Sequence, residues 1–351
     1  MKFIFELAHP KHYYQFRATM HRLESEGHKI LVVARDKDVL LKILEEENRA
    51  YAIYGQHGKR MLRKFTALPE LFITYYKIVK KFGPDVIVSK ASPYAAIISK
   101  FYQVKTAITP DSEVVTLTNK FVAPHSDVVI TPKTFKVDFG QKHRFINGFF
   151  EDCYLHPSIF TPNAAVLDTL QLKPGQPYFI LRFIGWTANH DVNNFGFSAE
   201  EKEKLVARLE PHGQVFISSE AALPENLEKY RIKIPASQMH SALHFAKIYV
   251  GDSQTMATES ALLGTPSVRY NSFVGPNDMS NFIILENQYG ILKNCASFVD
   301  VEKHIDSLLA DPGSKQTWLK KRQSYYEQVG DVNEQIVNEL VCQSLSTNYA
   351  N

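Results

Sequence analysis

Short, almost continuously apolar segments alternate with helical ones along this chain, and they do so in two successive series. In the first series, Phe3 to Ala8 reads as a buried strand, followed by a helical stretch from about Tyr13 to Glu26 that Gly27 closes. Lys29 to Ala34 is the next strand, and Asp36 can cap a helix reaching about Asn48. Tyr51 to Tyr54, Asp85 to Val88, Thr106 to Ile108 and Asp127 to Ile130 continue the strands. Strands that are apolar on both faces, each followed by a helix, specify a parallel sheet covered on both sides.

The series restarts after a proline-bearing stretch, Glu151 to Pro174, with Pro157 and Pro162 inside it. Tyr178 to Phe183 reads as a strand, and Ser198 with Glu201 forms a capping box for a helix over Ala199 to Leu209. Val215 to Ser218, Ile248 to Val250 and Pro266 to Tyr270 are further strands. Asp252 and Ser253 open a helix that Gly264 closes, and the chain from about Val299 to Leu345 is helical. The expected fold class is α/β, with two doubly wound domains facing across a cleft. The expected boundaries are a first domain over 1–150, a linker over 151–175, a second domain over 176–330 and a helical tail over 331–351. Ligands bind such sheets at the carboxyl ends of the strands.

Charge excludes one large class of function. Forty Lys and Arg against 37 Asp and Glu leave a formal +3 over 351 residues, far from the basic face of a bulk nucleic-acid binder. The three cysteines, Cys153, Cys295 and Cys342, have neither zinc nor disulfide spacing and suit a reducing, cytoplasmic compartment. Glu6 and His9 interrupt the first apolar run too early for a signal peptide. No stretch offers the roughly 18–20 apolar residues of a membrane span.

Strand exits supply the candidate site residues. Gly251 to Pro266 holds a strand end, a tight turn and a helix start, where exposed N–H groups attract phosphate. Ser253, Gln254, Thr255 and Met256 form that turn, and Glu259 could accept ribose hydroxyls; a capped core helix with a surface Glu would look the same. Arg182 and Gly185, with Trp186 after them, leave the first strand of the second half, and an arginine fork suits a diphosphate as well as a surface ion pair. His9, Lys11 and His12 follow the first strand of all, and a histidine there could take a proton from a sugar hydroxyl. Asp111 and Glu113, at another strand exit, could act as base or bind hydroxyls, while Asp111 or Ser112 could equally cap a helix. His57 and Gly58 lie in a glycine-bearing loop. No carboxylate cluster accompanies the histidines, so no metal site is expected.

Leu62, Phe65, Pro69, Phe72, Tyr76 and Val79 recur at 3–4 spacing among Lys59, Arg60, Arg63, Lys64, Lys77, Lys80 and Lys81. Such a stripe either faces the core or docks on anionic lipid.

Taken together, Pro10-Lys11-His12, Gly27-His28, Ala34-Arg35-Asp36, His57-Gly58, Pro84-Asp85, Asp111-Ser112-Glu113, Asp127 to Pro132, Tyr154 to Pro157, Arg182 with Trp186 and Ala188, and Thr255 to Pro266 resemble the bacterial and archaeal family known as domain of unknown function 354. That family is similar to GT-B glycosyltransferases and to the non-hydrolysing UDP-N-acetylglucosamine 2-epimerases. The resemblance implies two Rossmann-like domains, an N-terminal one for the acceptor and a C-terminal one for the nucleotide sugar. It assigns the diphosphate to the turn at Ser253, Gln254 and Thr255 and the ribose to Glu259. Two departures point from epimerase to transferase: Gln254 and Thr255 stand where the epimerases usually carry glycines, and their His-Arg-x-Glu-Asn signature is missing.

The resulting expectation is an inverting, metal-independent glycosyltransferase in surface polysaccharide, capsule or glycolipid biosynthesis, using a nucleotide-diphosphate sugar such as a UDP-sugar. It would need no cofactor beyond that substrate. His12 is the expected base, with Asp111 or Glu113 as rival, and Arg182 with the Ser253–Thr255 backbone stabilises the leaving diphosphate. The expected partners are the nucleotide sugar and a sugar or lipid-linked acceptor, not nucleic acid, at the inner face of the cytoplasmic membrane. The alternatives are a nucleotide-sugar 2-epimerase using Asp111, Glu113 and Glu220, and a non-catalytic nucleotide-sugar-binding protein.

Overall fold

The computed structural model describes residues 1–36, 40–56, 68–113, 118–173, 175–185 and 195–345. The chain divides into two units, one of 1–154 with 330–351 and one of 155–329.

Among the described residues of the first unit, seven strands form one sheet in the order β3-β2-β1-β4-β5-β6-β7. They are β1 (Lys2–Leu7), β2 (Lys29–Asp36), β3 (Tyr51–Gln56), β4 (Val86–Ser89), β5 (Lys105–Ile108), β6 (Val128–Pro132) and β7 (His143–Ile146). Every neighbouring pair is parallel. The strand order reverses between β1 and β4, so the exits of these two strands flank the switch point. The Pro10–Ser25 helix shows why the alternation works. Tyr13, Phe16, Met20 and Leu23, spaced three and four apart, are its buried stripe against the sheet. The His9 imidazole caps its start by accepting from the Lys11 N–H at 3.1 Å. Gly27, at φ +86°, ends it, and the His28 N–H returns to the Leu23 carbonyl.

The helical tail expected over 331–351 covers this sheet. The Val332–Leu345 helix buries Val332, Ile336, Val337 and Leu340. Asn333 is buried between the two elements it joins, accepting from the Thr19 hydroxyl at 2.9 Å and donating to the Cys153 carbonyl at 3.0 Å. Arg22 pairs with Asp331 at 2.7 Å. Strand β7 was not apparent in the sequence because its four residues carry His143 and Arg144 at an edge of the sheet.

Of the described residues of the stripe after residue 60, Val79 is buried, Phe72 and Tyr76 are half-buried and Pro69 is exposed. In the Leu68–Phe82 helix the buried residues are Leu71, Tyr75 and Val79, Phe72 packs beside them, and Lys77, Lys80 and Lys81 are exposed. Leu62, Phe65 and the basic residues from Lys59 to Lys64 lie outside the described residues. Among the described residues, no helix is long and apolar enough to cross a membrane.

In the second unit, the described strands are β8 (Tyr178–Phe183), β9 (Gln214–Ser219), β10 (Ile248–Gly251), β11 (Ser267–Tyr270) and β12 (Lys293–Cys295), ordered β12-β11-β10-β8-β9 and again parallel. Here the order reverses between β8 and β10. The Ala199–Leu209 helix begins with the expected Ser198–Glu201 capping box. The Gln254–Leu262 helix follows β10, and Gly264 ends its exit turn at φ +78°. A side chain at Gly264 would press on the end of the Leu319 side chain in the Ser314–Val329 helix, and the positive φ is what favours glycine there. The Ser280–Asn287 helix and β12 were not anticipated; Asn294 ties them together by donating to the Phe282 carbonyl and the Glu286 carboxylate.

Candidate functional site

In the first unit, the exits of β1, β4 and β5 bring a charged cluster together. Lys90, one residue beyond β4, is only 8% exposed, and its ammonium lies 3.4 Å from Asp111 Oδ2 and 2.6 Å from Gln15 Oε1. The same ammonium sits 4.2 Å from the centroid of the Phe150 ring. Lys11, in the first turn after β1, reaches Asp111 Oδ2 at 3.7 Å and Glu151 Oε1 at 3.1 Å. Two lysines thus converge on one carboxylate oxygen.

The electrostatics follow from that packing. Burial alone would raise the Asp111 carboxyl, but Lys90, Lys11 and His12 together hold it below the usual carboxylate range. Burial lowers Lys90, and Asp111 partly restores it. Burial, then Lys90, pushes the His12 imidazole down to about 3, so His12 is neutral near pH 7. Its Nδ1 accepts from the Ala8 N–H at 3.3 Å. A neutral imidazole that accepts at Nδ1 carries its proton on Nε2. His12 therefore presents a donor, not a free base.

The other first-unit candidates occupy different positions. His9 is exposed and caps the helix. Glu113 Oε1 accepts from the Lys136 N–H at 2.9 Å, in the loop after β6. His57 and Gly58 lie outside the described residues, as does Trp186 in the second unit. Reading the exit of every strand would have found Lys90, which follows β4 just as Asp111 follows β5. Glu151, 8% exposed and bound to Lys11, is far from both in sequence and had no such signal.

At the second unit's switch point, Gly251 ends β10 opposite Arg182 of β8. A Cβ on Gly251 would fall 2.3 Å from the Tyr249 hydroxyl and 2.9 Å from the Arg182 carbonyl, so the tight strand exit depends on glycine. The buried Asp252 then accepts from the Ile184 N–H at 2.8 Å and fixes the two exits together. Ser253 Oγ caps the following helix through the Met256 N–H at 3.4 Å. The N–H groups of Gln254 and Thr255 have no acceptor within the helix and lie at its positive end.

Glu259 is 9% exposed rather than a surface side chain, and His240 Nε2 lies 3.3 Å from its Oε1. Arg182 donates to Ser218 Oγ at 2.8 Å and is paired with Glu220, whose other oxygen accepts from the Gly185 N–H at 3.3 Å. The arginine is thus engaged, but with a half-exposed carboxylate that an anionic ligand can replace at little cost. Among the described residues, no three or more His, Cys, Asp or Glu side chains gather as a metal would require.

The family model described as "Protein of unknown function (DUF354)" matches residues 1–287. The chain belongs to this family. A relative in sequence, the uncharacterized protein MJ0665 of Methanocaldococcus jannaschii, is 22% identical over 273 residues, covering 75% of this chain and 80% of that protein. Among solved structures, UDP-GlcNAc 2-epimerase from Neisseria meningitidis bound to UDP-GlcNAc superposes with a TM-score of 0.67 at 12% identity, covering 97% of this chain and all of that one (100%). Spinosyn forosaminyltransferase SpnP superposes with a TM-score of 0.64 at 14% identity, covering 98% and 99%. These likenesses show that this DUF354 member has the two-unit GT-B fold.

Proposed function

We propose that the protein is an inverting, metal-independent glycosyltransferase that takes its sugar from a nucleotide diphosphate. The observation that carries this reading is Asp111, a half-exposed carboxylate held ionised by Lys11 and Lys90 at the switch point of the first unit. Its Oδ2 meets both lysines, and Oδ1 is the proton acceptor in this reading. In this role Asp111 replaces His12, whose Nε2–H instead orients the acceptor. A carboxylate is a weak base, so the proton moves late, as the attacking oxygen becomes acidic. The acceptor oxygen bonds to the anomeric carbon, the bond to the diphosphate breaks, and the proton ends on Asp111. The Gln254 and Thr255 N–H groups and Arg182, released from Glu220, stabilise the departing charge. Glu259, positioned by His240, accepts the ribose hydroxyls. The superposition with an enzyme bound to UDP-GlcNAc supports a uridine donor.

The acceptor belongs to surface polysaccharide or glycolipid assembly in this reading. Exposed Ile73, Ile97 and Phe101, with Lys77, Lys80, Lys81 and Lys100 beside them in sequence, would meet an anionic bilayer, and co-sedimentation with phosphatidylglycerol vesicles tests that contact.

One observation favours a second reading, a 2-epimerase. Lys11 bridges two carboxylates, Asp111 and Glu151, and two acids are what removal and return of a C2 proton require. Thermal-shift screening against UDP-, GDP-, CMP- and dTDP-sugars comes first, since a ligand bound only by the folded chain raises its melting temperature. The sugar that binds is then incubated in D2O without acceptor. The transferase predicts no deuterium at C2; its appearance there would establish the epimerase, and no shift with any donor would defeat both.

A further inference from the structure

A cavity of about 170 Å³ opens at the exits of β1 and β4 within the first unit, lined by Glu6, His12, Arg35, Lys90, Ser92 and Tyr94 among others. Its walls combine aromatic and polar groups. Tyr54 and Tyr94 meet edge to face with centroids 6.0 Å apart. Glu6 lies between Phe5 and Leu7 in β1 and is only 4% exposed, and burial raises its carboxyl above the ordinary range. Its Oε1 accepts from the Tyr54 hydroxyl at 2.8 Å, while Oε2 makes no well-aligned hydrogen bond among the described residues, with the Ser92 and Tyr75 hydroxyls near the carboxyl. Arg35 Nε is likewise without one.

A buried carboxylate oxygen left unpaired is costly, and a water or a ligand hydroxyl in the cavity would complete it. A ligand that donates to Glu6 must also offer acceptors to Arg35 and to His12 Nε2–H. Hydroxyl groups do both. Tyrosine rings take the C–H face of a hydroxylated sugar ring. The volume is enough for one such ring.

We propose that this cavity binds a single neutral pyranoside, with one hydroxyl donated to Glu6 Oε2 and the ring against Tyr94. That the pyranoside is the terminal sugar of the acceptor rests on the transferase reading; its binding in the cavity does not.

Saturation-transfer NMR on the full chain tests this, with the methyl glycosides of glucose, galactose, mannose and N-acetylglucosamine as probes and no nucleotide present. At least one glycoside is expected to bind. Glu6→Gln, which puts a donor where an acceptor stood, should weaken it by about tenfold, the worth of one hydrogen bond. Tyr94→Ala, at the half-buried wall, should weaken it similarly and decides the matter if Glu6→Gln does not fold. No binding by the folded chain, or equal binding by wild type and both folded variants, overturns the proposal. Thermal shift with nucleotide sugars on the same samples keeps the two readings apart. Nucleotide binding without glycoside binding defeats the cavity assignment alone. Glycoside binding without nucleotide binding defeats the donor assignment alone.

Discussion

The two units share one architecture and present different chemistry at the same place in it. Each sheet reverses its order beside a central strand, and each reversal gathers polar groups. In the second unit those groups are mostly backbone N–H donors at a helix start, with a replaceable Arg182–Glu220 pair beside them. In the first unit they are side chains: two lysines closing on Asp111, a neutral His12, and Glu6 at the back of a cavity. The contrast teaches that a strand exit becomes an anion site when small residues leave its backbone open. It becomes a site for proton transfer when long side chains fill it and fix each other's charge.

Removing the carboxylate should have the largest effect. With the cognate donor and acceptor, Asp111→Asn is expected to lower turnover by about 10²–10⁴-fold, the usual worth of a general base. Nucleotide binding, read by thermal shift, should be untouched. Equal losses in both measurements would show that the variant harms the chain as a whole and break the division of labour.

The reciprocal change lies in the second unit. Glu259→Ala should weaken nucleotide binding by about tenfold, as expected for loss of a charge-assisted hydrogen bond, and leave glycoside binding by the first unit unchanged. Isothermal titration with the nucleotide resolves a change of that size.

Acid sharpens the comparison through one histidine in each unit. Burial lowers His12 to about 3 and His244 to about 4, each below the ordinary 6.5. Between pH 6.5 and those values the unfolded chain binds the protons that the folded chain refuses. Stability conferred by each neutral imidazole is therefore full above about pH 6.5 and is lost as pH falls. Melting temperatures from pH 7 to pH 4 should fall less steeply in His12→Asn and in His244→Asn than in wild type, with the greater flattening in His12→Asn. Parallel curves for all three proteins would refute the assignment.

The smallest effect is expected at the exposed ion pair. Glu220→Ala should cost at most about 1 kcal/mol of stability, since exposed pairs contribute little. By freeing Arg182 it should tighten nucleotide binding severalfold, whereas Arg182→Ala loosens it. Weaker binding in Glu220→Ala would mean that the carboxylate, not the arginine, meets the ligand.

Much of this comparison was legible before any coordinates. The Ser198–Glu201 capping box, the Ser253 cap and the Gly264 stop all stand where local chemistry placed them. The turn from Ser253 to Met256 was found for the same reason, because a helix start after a strand is a local event. Asp111 and Lys11 were named singly, but their convergence was not, since 100 residues separate them in sequence and the β1 and β5 exits bring them together. Glu6 was visible only as a charge interrupting an apolar run.

Residue order alone determined the elements, their alternation and the loops that can carry chemistry. These depend on side-chain periodicity and on backbone groups within a few positions of one another. Tertiary structure decided the charge states and the partnerships. Lys90 and His12 acquire their states from burial, and burial is a property of the assembled sheet and the helices on it. It also decided that the last helix covers the first unit, because Val332, Ile336 and Leu340 can be buried by any apolar face, whereas Asn333 between Thr19 and Cys153, with Asp331 on Arg22, selects this one.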